Sequence, residues 1–171
     1  MKSTASIQDS DKIISLLARM PLLKQFSREQ LGLILDFTSI RIYEFGESII
    51  EEGSLERTFF IMISGAAYVL KNGVQIAAFD KPGDIFGEMT IIDGSARSAS
   101  IVAQERTICI AIDAAFLERA EDTPQILMVQ NILYRAIAGL LAGRIRAMNT
   151  DCIALRKELD AVKSGKKSRN A

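Results

Sequence analysis

The residues best suited to chemistry lie in one short segment, residues 83–100, which reads GDIFGEMTIIDGSARSAS. Gly87 indicates a tight bend, and Glu88 to Ile92 predict about one to two turns of helix after it. The first amides of such a helix have no partner within the helix and favour an anion. Arg97 can hold two phosphate oxygens through its planar guanidinium, and the Glu88 carboxylate can accept hydrogen bonds from sugar hydroxyls. The same two side chains could instead pair with each other at the surface, contributing about 0–1 kcal/mol.

Short runs rich in β-forming residues and separated by glycines must position this segment. The predicted strands cover residues 40–43, 48–51, 58–64, 66–71, 74–79, 98–103 and 107–112. Asn72-Gly73, which lies between two of these runs, is the strongest hairpin signal in the chain. Many short strands at this spacing predict a mainly β fold with flanking helices, built as an antiparallel β-roll of the jelly-roll type.

Helical patterns flank the predicted roll on both sides. Two N-terminal helices are expected, the first ended by Pro21 and the second opened by a capping box that begins at Ser27. A long C-terminal helix begins at Pro124, with Thr123 as its N-cap. The chain therefore divides into a disordered N-terminus (residues 1–10), the roll with its helices (11–123), a dimerisation and lid helix (124–163) and a disordered basic tail (164–171).

The composition excludes several classes of function. Lysine plus arginine and aspartate plus glutamate both number 21, so the molecule as a whole has no charge that would attract nucleic acid or a membrane. Histidine is absent, which removes the usual general base and the commonest haem and zinc ligand. Cys109 and Cys152 are too few and too distant in sequence for a zinc or iron–sulfur site. We therefore expect no catalytic residues, no metal and no cofactor.

The location of the protein is predicted from its apolar segments. The N-terminus is polar and lacks the apolar core of a signal peptide. No apolar run approaching membrane-spanning length stands out in the sequence. These observations predict a cytoplasmic protein with no membrane partner.

The C-terminal helix carries an apolar seam. Its members recur at alternating spacings of four and three, and they are Leu141, Ile145, Met148, Cys152, Leu155, Leu159 and Val162. In a parallel dimer the flanking charges would pair Asp151 with Arg156 and Glu158 with Lys163 across the two chains. The pattern predicts a parallel homodimer, and the alternative is a single helix that lies along its own roll.

The segment 83–100 resembles the phosphate-binding cassette of cyclic-nucleotide-binding domains, particularly those of bacterial regulators of the catabolite-activator and Fnr type. The resemblance is carried by Phe86-Gly87-Glu88-Met89, by the short interval that follows, and by Arg97-Ser98-Ala99. Through the spacing of glycines it extends from Leu16 to Met148. The chain departs from the family at Ala96, where proline is frequent, which implies a looser loop before the ligand arrives.

This resemblance implies a ligand, cAMP or cGMP, and a role for each cassette residue. Glu88 would bond the ribose 2′-hydroxyl and Arg97 would pair with the cyclic phosphate. Main-chain amides beside these two side chains would complete the cradle, and the residues concerned are Gly87, Met89, Ser98 and Ala99.

Two residues outside the cassette are candidates for contact with the base. Val69 could line the floor of an apolar pocket, although core packing explains it equally well. Arg144, on the C-terminal helix, could stack on a purine, and the alternative is an exposed helical arginine. Leu141 and Ala142 stand where several family members have polar residues that bond adenine, so the choice between cAMP and cGMP stays open.

These observations predict a stand-alone cyclic-nucleotide sensor that signals to a protein partner through movement of its C-terminal helix. No DNA-binding module is expected, because the sequence ends after that helix. Three alternatives remain: a scaffold protein with a vestigial pocket, the regulatory fragment of a transcription factor, and a nucleotide hydrolase or transferase. The last of these lacks a histidine, a metal-ligand cluster and a nucleophile motif.

Overall fold

The structure is a computed structural model that describes residues 3–5, 10–114 and 124–167. Within these residues the strands, in chain order, are β1 Ser3–Ala5, β2 Thr38–Tyr43, β3 Ser48–Ile50, β4 Thr58–Ser64, β5 Ala67–Lys71, β6 Val74–Phe79, β7 Ile85–Phe86, β8 Ser100–Ala103 and β9 Thr107–Asp113. The helices are α1 Ser10–Leu17, α2 Arg28–Leu35, α3 Met89–Asp93 and α4 Pro124–Lys167. The predicted β-roll with N-terminal helices and a long C-terminal helix is thus confirmed.

Two antiparallel sheets form the roll. One has the strand order β1-β2-β9-β4-β7 and the other has the order β3-β8-β5-β6. Strand β9 lies in the middle of the first sheet, where it pairs with β2 and with β4 along most of its length. The Asn72-Gly73 hairpin joins β5 to β6 as predicted, and both turn residues have positive φ, 51° and 77°. The cassette, residues 83–100, connects β6 to β8 and contains β7 and α3.

The inner faces of the two sheets enclose an apolar core. Alternate residues of β4 and β9 point into it, among them Phe60, Met62 and Cys109, all of which are fully buried. Phe60 stacks on Phe86 with ring centroids 5.5 Å apart, and Phe86 stacks on Phe79 at 5.1 Å. Burying one such ring stabilises the fold by about 1.5–3 kcal/mol. The stack therefore fixes the chain just before the cassette bend at Gly87.

The N-terminal helices follow their sequence signals. Helix α2 begins with the predicted capping box: the Ser27 hydroxyl accepts from the Gln30 amide at 3.2 Å, and the Gln30 side chain accepts from the Ser27 amide at 2.8 Å. Apolar residues of both helices face inward, and they include Ile13, Leu17 and Leu31. Helices α1 and α2 pack against each other.

The chain termini differ from the sequence interpretation. Ser3–Ala5, expected within a disordered segment, pair antiparallel with β2. This pairing uses main-chain groups that β2 would otherwise expose at the sheet edge, and the polar side chains of the segment give no sign of it. Helix α4 continues through Gly165 to Lys167 instead of ending at residue 163. The expected N-cap Thr123 and residues 168–171 of the expected basic tail lie outside the described residues.

The chain divides into two compact units, residues 1–134 and 135–171. The first unit contains both sheets and the first turns of α4, whose Val129 and Leu133 are buried. The second unit is the remainder of α4. The part of this helix from Ile126 to Lys163 has an 18-residue window of mean hydropathy 1.5, long and apolar enough to cross a membrane by length and composition alone. This differs from the expectation that the sequence contains no apolar run of membrane-spanning length.

Candidate functional site

Within the cassette, the bend that follows β7 can be formed only by glycine. Gly87 follows β7 with φ +79°, and a Cβ at this position would lie 2.8 Å from Nη1 of Arg97 and 3.1 Å from the Thr58 carbonyl oxygen. Helix α3 follows at once and ends at Gly94, which has φ +68° and donates its amide to the Thr90 carbonyl at 3.0 Å. The predicted bend and short helix are both present.

Glu88 occupies the N-cap position of α3 and is 1% exposed. Its side chain does not cap the helix. A carboxylate is rarely buried to this degree unless it has polar or charged partners, and its oxygens are acceptors of the kind that bond sugar hydroxyls.

Arg97 is the central basic side chain of the site and is 4% exposed. Its Nη1 donates to the Gly87 carbonyl and its Nη2 donates to the Thr58 carbonyl. The main chain of the same residue is held by the loop before β4, since its amide donates to Ser54 O at 2.8 Å and its carbonyl accepts from Gly53 N at 2.9 Å. The guanidinium is therefore held by carbonyls at the ends of two neighbouring strands of one sheet, β4 and β7.

The positive charge of Arg97 and its remaining N–H donors would favour an anion. Burial lowers the pKa of the guanidinium, while the charges of Glu56 and Glu88 act in the opposite direction. Arginine remains charged at any physiological pH despite this shift. Among the described residues the buried Nε has no hydrogen-bond partner. Two of the five N–H donors bond main-chain carbonyls, so donors remain for phosphate oxygens.

The structure brings together the two side chains that the cassette pattern singled out. Glu88 and Arg97 are both buried, and Arg97 bonds the carbonyl of the residue before Glu88. The alternative of a surface ion pair therefore does not describe this arrangement. Met89 and Ser98 are exposed, with 4.0 Å between the Ser98 hydroxyl and the Met89 sulfur, and Ala99 is half-buried.

The two residues proposed to contact the base lie in different units. Val69 is half-buried on β5, between Ile101 of β8 and Ala77 of β6. Arg144 is half-buried on α4, in the second unit. Their roles stay predictions.

Sequence patterns did not predict the hydrogen bonds that hold Arg97 and the loop after β3. Thr58 supplies a carbonyl acceptor from a position 39 residues away in sequence. Ser100 accepts a hydrogen bond from the Glu52 amide at 2.9 Å and so fixes the loop that follows β3. Every residue type has a main-chain carbonyl that can accept a hydrogen bond, so the sequence does not mark Thr58 as a partner of Arg97. Only the strand register could have predicted this contact.

The fold and the site define a β-roll domain with a buried arginine and glutamate at a glycine bend, an arrangement suited to binding a sugar phosphate. Residues 40–123 match the family described as the cyclic nucleotide-binding domain. This chain belongs to that family, as the cassette pattern had indicated.

Similar proteins and structures support this assignment. The human cGMP-dependent protein kinase 2 is 32% identical over 119 residues, which cover 66% of this chain and 16% of the kinase. The cyclic AMP receptor protein of Thermus thermophilus is 29% identical over 130 residues, 74% of this chain and 57% of the receptor. A solved cyclic nucleotide-binding protein from Geobacter metallireducens has the same fold, with a TM-score of 0.68, 19% identity and coverage of 77% and 96% of the two chains.

The match to the kinases is confined to part of their length. The chain spans only 12% of a Toxoplasma gondii cGMP-dependent protein kinase and 16% of the human enzyme. The similarity is therefore one of a domain.

Proposed function

We propose that this protein is a cyclic-nucleotide sensor whose ligand is cAMP or cGMP. Glu88 bonds the ribose 2′-hydroxyl, Arg97 pairs with the cyclic phosphate, and main-chain amides from Gly87 to Met89 and from Ser98 to Ala99 complete the cradle. The single observation that carries this proposal is the buried Arg97, which keeps an unpartnered Nε beside an equally buried carboxylate. A desolvated cation with free donors is favourable only when an anion can approach it.

The relatives support the ligand class and leave the base open. One is a cGMP-dependent kinase and another a cyclic AMP receptor, at closely similar identity. We assign the domain a regulatory role with no reaction of its own, and Val69 a contact to the base.

We further propose that α4 transmits the signal as a parallel homodimer in the cytoplasm, acting on a protein partner. Five members of the apolar seam are more than half exposed, and they are Ile145, Met148, Leu155, Leu159 and Val162. A second copy of the helix would remove this apolar surface from water. Ligand binding would shift the helix between two arrangements only by its differential affinity for them.

Isothermal titration with cAMP, cGMP and 5′-AMP tests the proposal. The variant Arg97→Gln keeps amide donors for the two carbonyls but loses the charge. Losing a charge-assisted pair of hydrogen bonds weakens binding by about 1.5–3 kcal/mol, so we expect cyclic-nucleotide affinity to fall roughly ten- to a hundredfold.

Arg106→Gln is the matched control, because Arg106 is an exposed arginine paired with Glu44 at 3.6 Å on another loop. It should bind as the wild type does. Equal affinities for the two variants, or a folded wild type silent to both cyclic nucleotides, would defeat the sensor proposal and leave an interaction domain that does not depend on nucleotide.

A further inference from the structure

A carboxylate outside the cassette lies close to the Arg97 site. Glu56 precedes β4, and its Oε1 accepts a hydrogen bond from the Thr58 hydroxyl at 3.3 Å. The carbonyl of the same Thr58 accepts from Nη2 of Arg97. One buried residue therefore bonds Glu56 through its side chain and Arg97 through its main chain.

A second arginine holds Glu56 in this place. Nη1 of Arg41 lies 3.4 Å from Glu56 Oε1. Arg41 is itself fixed, since its guanidinium lies 5.6 Å from the centre of the Phe60 ring and its side chain is only 22% exposed. Glu56 thus lies between two arginines, one that it contacts directly and one that it reaches across Thr58.

The charge of Arg97 requires a counter-charge in the absence of ligand. The hydrogen bonds of its Nη1 and Nη2 go to neutral carbonyls, those of Gly87 and Thr58. Glu56 and Glu88 are the negative charges that favour its charged form. An anion that enters the site would therefore gain the attraction of Arg97 and meet the repulsion of Glu56.

We propose that Glu56 is the resident counter-ion of Arg97, that Arg41 competes with Arg97 for this carboxylate, and that the balance between the two arginines sets how tightly the site binds an added anion. The identity of that anion, a cyclic nucleotide, rests on the proposed function. Glu56 acts as a positioning residue in this scheme and makes no contact with the ligand.

The scheme predicts that substitutions of Glu56 and of Arg41 change cyclic-nucleotide affinity in opposite directions. Glu56→Gln removes the competing charge, so cyclic-nucleotide affinity should rise by about three- to tenfold, a range reduced by the partial exposure of this side chain. Arg41→Gln frees Glu56 to turn towards Arg97, so affinity should fall by a similar factor. In the Glu56→Gln background, Arg41→Gln should change nothing, because its effect runs through Glu56.

A second measurement needs no ligand. If Glu56 balances Arg97 in the free protein, Glu56→Gln should lower the midpoint of urea unfolding more in the wild type than in Arg97→Gln, where only the contacts with Arg41 and Thr58 are lost. Glu52→Gln is the control from the same loop, because the Glu52 carboxylate bonds Lys71 at 2.7 Å and the Asn72 amide at 3.0 Å. Its effect should be the same in both backgrounds.

The outcomes separate this inference from the proposed function. Three results support the inference. Glu56→Gln binds cyclic nucleotide more tightly, Arg41→Gln has no effect on affinity in that background, and the effects of Glu56→Gln and Arg97→Gln on unfolding are not additive. Additive effects in either cycle overturn it, as does unchanged affinity in Glu56→Gln. If the wild type binds neither nucleotide, the proposed function fails, and the unfolding cycle alone then decides the inference: coupling supports it and additivity overturns it.

Discussion

Substituting Gly87 with alanine tests whether the cassette bend and the arginine are built as one unit. The added Cβ would lie 2.8 Å from Nη1 of Arg97, 2.9 Å from Cδ1 of Ile50 and 3.1 Å from the carbonyl oxygen of Thr58. The arginine can move, but Thr58 O belongs to the main chain at the start of β4, where Thr58 pairs with Asp113 of β9, and it has little freedom to move. We therefore expect the guanidinium to be displaced from both of its carbonyl partners.

The size of the effect follows from two contributions. A left-handed φ costs a residue with a Cβ about 1–2 kcal/mol. Overpacking a filled site costs about 1–3 kcal/mol more. Gly87→Ala should therefore lower the free energy of unfolding by about 2–5 kcal/mol and abolish cyclic-nucleotide binding.

Gly46→Ala is the matched control for this experiment. Gly46 has the same φ, +79°, but nothing lies within 4 Å of its added Cβ. It should lose only the backbone contribution of about 1–2 kcal/mol and bind ligand normally. Urea unfolding and calorimetric titration of both variants provide the comparison. Equal losses of stability, or normal binding by Gly87→Ala, would refute the close packing of bend and arginine.

Two further predictions concern the cysteines and the seam. Burial raises the pKa of the Cys109 thiol to about 12, so at pH 8 only about one molecule in 10⁴ is thiolate, and iodoacetamide should label exposed Cys152 but spare Cys109 in the native protein. Mass spectrometry showing rapid labelling of both thiols would contradict the buried placement. Leu155→Glu should convert the proposed dimer to a monomer in sedimentation, and a monomeric wild type at micromolar concentration would remove the seam argument.

Much of the roll could be predicted from local signals. Turn residues such as Gly87, Gly94 and Asn72-Gly73 need particular backbone angles, so the sequence marks them directly. Strand limits shifted by one or two residues, because β8 begins at Ser100 and the preceding two residues belong to the cassette exit. The cassette pattern places Glu88 and Arg97 in one segment, and both are buried there, while their shared role in binding a ligand stays a prediction.

The remainder of the site depends on long-range pairing that single residues do not encode. Thr58 bonds Arg97, and Glu56 bonds Thr58, because β4 pairs with β7 in one register, with Phe60 opposite Phe86. Strand β1 pairs through its main chain, and its polar residues lack the alternation that marks a strand.

The most direct test of the account is a crystal structure of the protein grown with cAMP or cGMP. The account predicts a cyclic phosphate within hydrogen-bond distance of Arg97, including its Nε, and a ribose 2′-hydroxyl on the Glu88 carboxylate. A nucleotide bound elsewhere, or Arg97 still bonded only to Gly87 and Thr58 beside an empty cavity, would contradict it.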